Sequence, residues 1–498
     1  MQGFGDHKKS QKKIKKDFRN NNLKEQIIYK AFKFHSEGNI VEANKYYKFF
    51  ISQGFTDVKV FSNYGVLLKG LGKLKEAELS TRKAIKLNPD YAIAHSNLGG
   101  ILKDLGKLKE AELSTRKAIE LNPDYPDAYS NLGIILKDLG KLKEAELAML
   151  KAIELNPDFA GAYFSLSTFN YSNKNKLWKE KLFSEELLEN KMIREQVDIY
   201  FARANILHNE KKYQESSSYL KLANKLKLNL KKSKSKYRIN KSKILLIESE
   251  KKEIDQKEYT NCPQSIFIVG MPRSGSTLIE SIISMNNDVF DLGETNILEE
   301  AFIEKKNSNH ELPLTDIYLK KISEYKKNFK VTTNKYLYNY QYAGIISKQI
   351  ANAKIIHCFR NPLDNILSIY RANFATGTNE YSSSLADCTS IYLDQEEIMS
   401  KYKSKFKSKI YDLNYDLLVS DPNKEIKSLI SWLDWQWEDS YLSPHLNKRS
   451  VFTASQVQVR SPINSKSVGG WKNYKEMLKP SIEILSKTRK YKNVFNQS

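Results

Sequence analysis

The chain has 498 residues, of which 40% are hydrophobic, and these values predict two or three globular domains rather than a disordered chain. Its formal charge is +23, but the lysines are spread among many Asn, Ile and Tyr residues, so a biased composition explains the charge as well as an anionic partner does. The three cysteines show no C-x-x-C or His/Cys metal spacing, which disfavours disulfides and structural zinc. No apolar segment follows the Lys-rich start, and no run of about eighteen apolar residues occurs. We therefore expect a soluble, cytoplasmic protein without a signal peptide or membrane span.

The first half of the sequence repeats every 34 residues. A turn of Asn, Pro, Asp and an aromatic residue recurs, and a Leu-Gly-Lys-Leu-Lys-Glu-Ala segment precedes each copy. The turns are 88–91, 122–125 and 156–159, and the segments are 71–77, 105–111 and 139–145. Gly and Ala suit close helix crossings, and Pro beside Asn ends a helix. The pattern resembles the tetratricopeptide repeat and predicts about five to six helix pairs.

This resemblance implies a superhelical array over residues 23–224, after a basic disordered N-terminus at 1–22. Such arrays often bind peptides on their concave face, although a scaffold or dimerisation arm is an alternative. Residues 225–262 become rich in Lys and Ser around one apolar cluster, Ile244–Ile247. We interpret them as a basic linker ending in a helix that packs on one domain or the other. A charge run is more often a solvated face than an anion site.

A strand, a tight loop and a helix are predicted between Gln264 and Glu280. The spacing from Gly270 to Thr277 almost satisfies the nucleotide-triphosphate loop G-x-x-x-x-G-K-[ST], but Ser276 replaces its lysine. A loop of this kind presents backbone N–H groups and a helix N-terminus to an anion. Without the lysine it suits a single phosphate better than a triphosphate, and Arg273 can supply a fixed charge. The alternative is an ordinary serine-rich turn.

Short apolar strands alternate with helical patterns from residue 263 onward, which predicts a parallel α/β sheet. After the loop come 289–295, 329–335, 354–368 and 410–419. Together these segments resemble the sulfotransferase superfamily, whose donor is 3′-phosphoadenosine 5′-phosphosulfate (PAPS). The likeness is closest to the protein-tyrosine sulfotransferase branch and to bacterial enzymes that fuse tetratricopeptide repeats to this domain, and it covers about residues 263 to 480. It implies an all-α repeat superhelix followed by an α/β P-loop-type sulfotransferase domain at 263–498.

The resemblance also implies which residues contact the donor. The loop holds the 5′-phosphosulfate, and an arginine and a serine eight residues apart clamp the 3′-phosphate. That clamp makes chemical sense by itself, since an arginine at a strand end and a serine two helical turns later can point at one anion. The expected donor-binding residues are Arg273, Ser274, Gly275, Ser276, Thr277, Arg360, Ser368, Tyr415, Arg460 and Lys472.

The expected catalytic residues are Glu294, Lys335, Ser455 and Arg273. By the resemblance, Glu294 is the base that takes the acceptor proton, and the other three stabilise the transition state near the leaving oxygen. Sulfuryl transfer is an in-line displacement analogous to phosphoryl transfer, so positioning and electrostatics dominate and no metal is expected.

Two positions depart from the family pattern. Gly470 stands where relatives have a basic residue, for which Lys472 or Lys466 could substitute, and Arg371 lies one residue short of an arginine of the tyrosine-sulfating branch.

We expect a peptide or protein acceptor held by the repeat array, with tyrosine favoured and a glycan, lipid or metabolite left open. No nucleic-acid partner is expected, and a homodimer is left open. A nucleotide kinase or NTPase is an alternative that Ser276 disfavours. A repeat scaffold with an inactive domain is another, and Gly470 alone favours it.

Overall fold

The computed structural model describes residues 21–169, 177–251, 259–260, 262–307, 312–325, 328–374, 379–447 and 459–492. The chain separates into two compact units, Met1–Lys181 and Leu182–Ser498. Among the described residues, the first unit is helical and the second contains one parallel sheet flanked by helices. The predicted fold class, a helical repeat array followed by a parallel-sheet α/β domain, is confirmed.

Helices of the first unit pair in sequence order, α3 with α4, α5 with α6 and α7 with α8. A helix over 21–36 is α1, and α10 continues across the boundary between the units. The remaining helices are α2 (Ile40–Ser52), α3 (Val58–Gly70), α4 (Leu74–Leu87), α5 (Ala92–Asp104), α6 (Leu108–Leu121), α7 (Pro126–Asp138), α8 (Leu142–Leu155), α9 (Ala160–Ser167) and α10 (Leu177–Phe183).

Small residues lie where the paired helices cross, as the sequence predicts. A Cβ on Gly99 would lie 2.0 Å from Oγ1 of Thr115, so no side chain fits there. Ala111 and Ala118 on the facing helix are fully buried. Close crossing lets many atoms of the two helices touch, which stabilises the pair through packing.

The helices that lie wholly in the second unit include three that precede the first strand of the sheet. They are α11 (Ile193–Asn209), α12 (Tyr213–Leu230), α13 (Ser235–Glu250), α14 (Ser276–Ile283), α15 (Ile297–Asn307), α16 (Leu314–Ser323), α17 (Ala343–Gln349), α18 (Pro362–Tyr370), α19 (Leu385–Lys405), α20 (Tyr415–Ser420), α21 (Pro422–Trp432) and α22 (Lys479–Ser486). Short 3₁₀ turns are Glu186–Leu188, Leu337–Tyr342, Glu380–Ser383, Asp439–Leu442, Pro444–Leu446 and Gly470–Tyr474.

Five parallel strands form the described sheet in the order β2-β3-β1-β4-β5. They are β1 (Gln264–Gly270), β2 (Val289–Asp291), β3 (Val331–Asn334), β4 (Ala353–Phe359) and β5 (Ile410–Asn414). The central strand β1 pairs with β3 on one side and β4 on the other, and Ile266 lies opposite both Thr333 and Lys354. Its residues are buried because helices cover both faces, which explains the uninterrupted apolar run in the sequence. Ile268, Ile356 and further apolar side chains form the core beneath it.

The helix pair α11–α12 belongs to the second unit. The Tyr474 hydroxyl lies 2.9 Å from Nδ1 of His208 and donates to Oγ of Ser216 at 3.0 Å. Asn224 Nδ2 donates to the Tyr370 carbonyl at 3.0 Å. The predicted bounds of 23–224 for the repeats, 225–262 for the linker and 263–498 for the second domain stay predictions, whereas the boundary between compact units follows Lys181.

Candidate active site

The carboxyl ends of the five strands lie at one edge of the sheet, because all four strand pairs are parallel. Each strand is followed within three residues by an expected site residue. These are Glu294 after β2, Lys335 after β3, Arg273 after β1, Arg360 after β4 and Tyr415 after β5. Open parallel sheets bind ligands at this edge. The fold thus brings five separate sequence segments to one candidate site.

The loop between β1 and α14 is built for close approach of a ligand to the backbone. Arg273 and Gly275 have φ angles of 66° and 92°. A Cβ on Gly275 would lie 2.2 Å from Cδ2 of Tyr415, so only glycine fits beneath that ring. Ser274 is 1% exposed, and its Oγ has no hydrogen-bond partner among the described residues. A buried hydroxyl without a partner is costly, which favours a ligand that accepts its hydrogen bond.

Arg273 of this loop lies near two further arginines, Arg360 and Arg371. Arg273 Nε donates to Ser368 Oγ at 3.1 Å, joining the loop to α18. Burial, together with the positive charges of Arg360 and Arg371, lowers the pKa of Arg273 to about 10. Burial also lowers the pKa of Arg371. Such a cluster of mutually repelling guanidinium groups is stabilised when an anion binds among them.

Arg360 is held from several directions but keeps one donor unused. Its Nη2 donates to the Ser467 carbonyl at 2.7 Å, and its guanidinium carbon lies 4.9 Å from the centre of the Tyr415 ring. Carboxylate oxygens of Asp364 and Asp416 lie 3.8 Å away. Arg360 Nε is buried without a hydrogen-bond partner in the described part of the chain. The side chain is therefore oriented in advance and can still donate to a ligand.

Lys335 lies between two carboxylates. Its Nζ is 2.6 Å from Oε1 of Glu294 and 3.6 Å from Oε2 of Glu280. The side chains of Lys335 and Glu280 are 1% and 3% exposed, whereas that of Glu294 is 50% exposed. Burial by itself lowers the pKa of Lys335, but the two carboxylates outweigh it and raise the pKa above its ordinary value. The arrangement gives a buried, charged ammonium next to a carboxylate that faces solvent.

The segment around Gly470 is anchored by a carboxylate on α18. Asp364 accepts hydrogen bonds from the amides of Gly469 at 2.7 Å and Trp471 at 2.9 Å. Burial raises the pKa of Asp364, although these amides and Arg360 oppose the shift. The side chain of Lys472 is exposed. Gly470, which stands where relatives have a basic residue, therefore lies in a turn whose backbone is hydrogen-bonded to α18.

The remaining expected donor-binding and catalytic residues are Ser276, Thr277, Arg460 and Ser455. Ser276 and Thr277 are buried at the start of α14. Arg460 Nη1 donates to the Asn447 carbonyl. Ser455 lies outside the described residues, so its role stays a prediction.

Two residues of the site were missed by the sequence interpretation. Glu280 is not among the expected site residues, although it is the sole charged residue of α14, and that isolation is the sequence signal that points to it. Arg371 was regarded as a departure from the family pattern, yet its charge acts on Arg273.

The described residues fit an anion with charge at two ends. The loop after β1 offers backbone N–H groups and the Ser274 hydroxyl, and α18 with β4 offers Ser368 and the unused Nε of Arg360. The site thus offers two positions at which anionic groups of one ligand could bind.

Comparison with protein families gives matches in both units. The sulfotransferase family model matches residues 304–439. Tetratricopeptide-repeat models match 58–91, 126–159 and 197–230, and a related repeat model matches 99–140. The last of these repeats, 197–230, corresponds to α11 and α12 of the second unit.

Two relatives and two solved structures show the range of similarity. A protein of Aquifex aeolicus (strain VF5) with no assigned function is 32% identical over 242 residues, which cover 44% of this chain and about a third (32%) of that protein. A Caenorhabditis briggsae protein, provisionally named a protein-tyrosine sulfotransferase, is 23% identical over 243 residues, covering 43% of this chain and 82% of its own. The sulfotransferase domain from the curacin biosynthetic pathway is 17% identical with a TM-score of 0.34, covering 46% of this chain and 98% of its own. A crystal structure of MamA is 22% identical with a TM-score of 0.28, covering 39% and 96%.

Proposed function

Because this chain joins tetratricopeptide repeats to a C-terminal sulfotransferase-family domain, we propose that it transfers a sulfuryl group from PAPS to an acceptor hydroxyl. The observation that carries the proposal is the sheet edge. There Arg273 and Arg360 follow β1 and β4, and Arg371, which ends α18, acts with its charge on Arg273. The Glu294–Lys335 pair follows β2 and β3. One half is suited to hold a polyanion, and the other offers a base and a cation.

The arginine half binds and orients the donor. The loop amides and Ser274 hold the 5′ side, while Arg360 Nε and Ser368 hold the 3′-phosphate. Tyr415 packs on Gly275 and on the Arg360 guanidinium, so it fixes the position of the loop that holds the 5′ side relative to the arginine that holds the 3′-phosphate. Burial and then repulsion by Arg360 and Arg371 lower the pKa of Arg273, and binding of a multiply charged donor relieves that repulsion.

The Glu294–Lys335 half carries out the transfer. Glu294 takes the proton of the acceptor hydroxyl while the new oxygen–sulfur bond forms. The bond from sulfur to the bridging phosphate oxygen breaks, and Lys335 with Arg273 neutralises the charge left on that oxygen. Adenosine 3′,5′-bisphosphate and the sulfated acceptor are the products, so the charges balance without a metal or redox partner.

Glu280 acts through Lys335 as a positioning residue. When Glu294 becomes protonated, Lys335 loses the nearer of its two negative neighbours while remaining buried. The second carboxylate, 3.6 Å away, keeps a charged ammonium favourable at that moment. Glu280 thereby holds Lys335 charged and in place through the transfer.

We take a peptide or protein hydroxyl, tyrosine above all, as the acceptor. The likeness to a protein provisionally named a protein-tyrosine sulfotransferase and the presence of a repeat array, which commonly binds peptides, support this choice. A glycan, lipid or small hydroxylated metabolite is the alternative acceptor.

The test is transfer of label from sulfur-labelled PAPS into a cell extract by the full chain. We expect labelled acceptors with the wild type, loss of labelling with Glu294→Gln, and normal labelling with the exposed control Glu324→Gln. Identification of the labelled residue then distinguishes tyrosine from the other acceptors. Absence of transfer by a chain that still binds the donor contradicts the proposed activity.

A further inference from the structure

A strongly basic surface is formed by α12, the turn after it and α13, and we call residues 216–247 the basic hairpin. It contains ten Lys and Arg residues and no Asp or Glu. Lys225, Lys232, Lys236 and Lys243 are exposed, and none of them forms an ion pair with a described residue. Others point into the domain, as Lys241 does, whose Nζ lies 2.5 Å from Glu299. The basic hairpin therefore presents uncompensated positive charge to its surroundings.

Helix α13 buries its polar side instead of its apolar side. Ser235 Oγ donates to Asp387 at 2.7 Å and Ser242 Oγ donates to Asp394 at 2.7 Å, so serines face the domain. These bonds fix the rotation of the helix about its axis. In consequence the helix cannot turn its apolar residues inward without breaking both of these hydrogen bonds.

The opposite side of α13 exposes large apolar side chains next to the lysines. Tyr237, Ile244 and Ile247 are 69%, 63% and 64% exposed. Tyr237 and Ile244 are seven residues apart, as are Lys236 and Lys243, so the two pairs form parallel rows along the helix. Large apolar side chains grouped on one exposed helix face beside lysines indicate a site of contact with a second surface.

We propose that the basic hairpin binds peripherally to the surface of an anionic lipid bilayer. Lysines attract phosphate headgroups, and the isoleucines and tyrosine enter the boundary between headgroups and acyl chains. A nucleic acid offers the lysines a partner but gives the isoleucines none. A second copy of the chain is disfavoured, because two such surfaces of like charge repel. No described helix is long and apolar enough to span a bilayer, so the contact lies at the surface.

The test is co-sedimentation of the full chain with lipid vesicles. One set is pure phosphatidylcholine and the other contains about 30% phosphatidylglycerol, and the expected partition is at least tenfold higher on the anionic set. Lys236→Gln with Lys243→Gln should lower it about 25-fold, since each lysine near an anionic surface contributes about fivefold. Ile244→Ser with Ile247→Ser should lower it about tenfold.

Matched controls come from the same unit. Lys424→Gln with Lys427→Gln replaces two lysines of α21, which lies outside the basic hairpin. Leu446→Ser replaces an apolar side chain that is 65% exposed. Both controls should bind anionic vesicles like the wild type, and all variants should unfold at the wild-type temperature. Equal binding to both vesicle types, or equal losses in the controls, overturns the proposal. The proposal is also overturned if the isoleucine variant binds anionic vesicles like the wild type and a soluble polyanion fully displaces the protein from them. That result would assign the surface to a nucleic acid or acidic protein.

Discussion

Replacing Lys335 by methionine should destabilise the second unit because it leaves the buried Glu280 carboxylate without its cation. Their charges are 3.6 Å apart, and at an effective dielectric constant of about 20 they attract by about 5 kcal/mol. Removing one partner of a buried pair costs about 3–5 kcal/mol. Glu294 is half exposed and stays hydrated, so losing its ion pair with Lys335 should cost less than about 1 kcal/mol. We therefore expect Lys335→Met to lower the free energy of unfolding by about 3–5 kcal/mol.

Urea unfolding followed by tryptophan fluorescence measures this effect, since four of the five tryptophans lie in the second unit. Adding Glu280→Gln to Lys335→Met should restore most of the lost stability, because the remaining neutral pair needs no counter-charge. Lys330→Met, at the exposed pair with Asp288, is the matched control and should change the free energy by less than about 1 kcal/mol. A Lys335→Met protein as stable as the wild type, or a double variant no more stable than the single one, would show that the Glu280–Lys335 ion pair does not stabilise the second unit.

Three further outcomes concern the candidate site, and a fourth concerns Asp394 where α19 contacts α13. Glu294→Gln and Arg273→Ala should each lower turnover about 10²-fold or more without unfolding the protein, as judged by labelled transfer and circular dichroism. Glu280→Gln should shift the alkaline limb of the kcat/KM profile to lower pH, because removing one carboxylate lowers the pKa of Lys335, and an unshifted limb would leave Glu280 a purely structural role. Arg371→Gln should weaken binding of adenosine 3′,5′-bisphosphate about tenfold in calorimetry, since one of three converging charges is lost. Burial raises the pKa of Asp394 to about 6 from an ordinary value of 3.8, so its charge costs stability above pH 6 and costs none below about pH 4. Asp394→Asn should therefore stabilise the second unit by about 1–3 kcal/mol at pH 7.5 and have no effect at pH 4.

The sheet was predictable because short apolar strands alternate with helical patterns, which is typical of parallel α/β folds. Glu294, Lys335 and Arg360 were expected in one site from the resemblance to the sulfotransferase superfamily, and the parallel strands bring all three to one edge of the sheet. The repeats were predictable from their period and from Gly and Ala at the helix crossings, such as Gly99 and Ala111.

The parts that escaped prediction depend on contacts between distant segments. Glu280 meets Lys335 only after β3 is placed beside β1, and its isolated charge in α14 does not tell which residue it pairs with. The Ile244–Ile247 cluster suggested the packing side of a helix, but only Leu245 is buried, because serines on α13 find carboxylates on α19. The helix pair over 197–230 matches the repeat model and yet packs with the sheet domain, since Ser216 bonds to Tyr474.

Titration calorimetry of the full chain with adenosine 3′,5′-bisphosphate measures whether two strand ends hold the two charged ends of one nucleotide. We expect one site per chain with a Kd below about 100 μM, at least tenfold weaker binding by the Arg360→Gln protein, and much weaker binding of ATP. No binding at about 1 mM ligand, or equal binding by the Arg360→Gln protein, would show that these strand ends do not form a donor site.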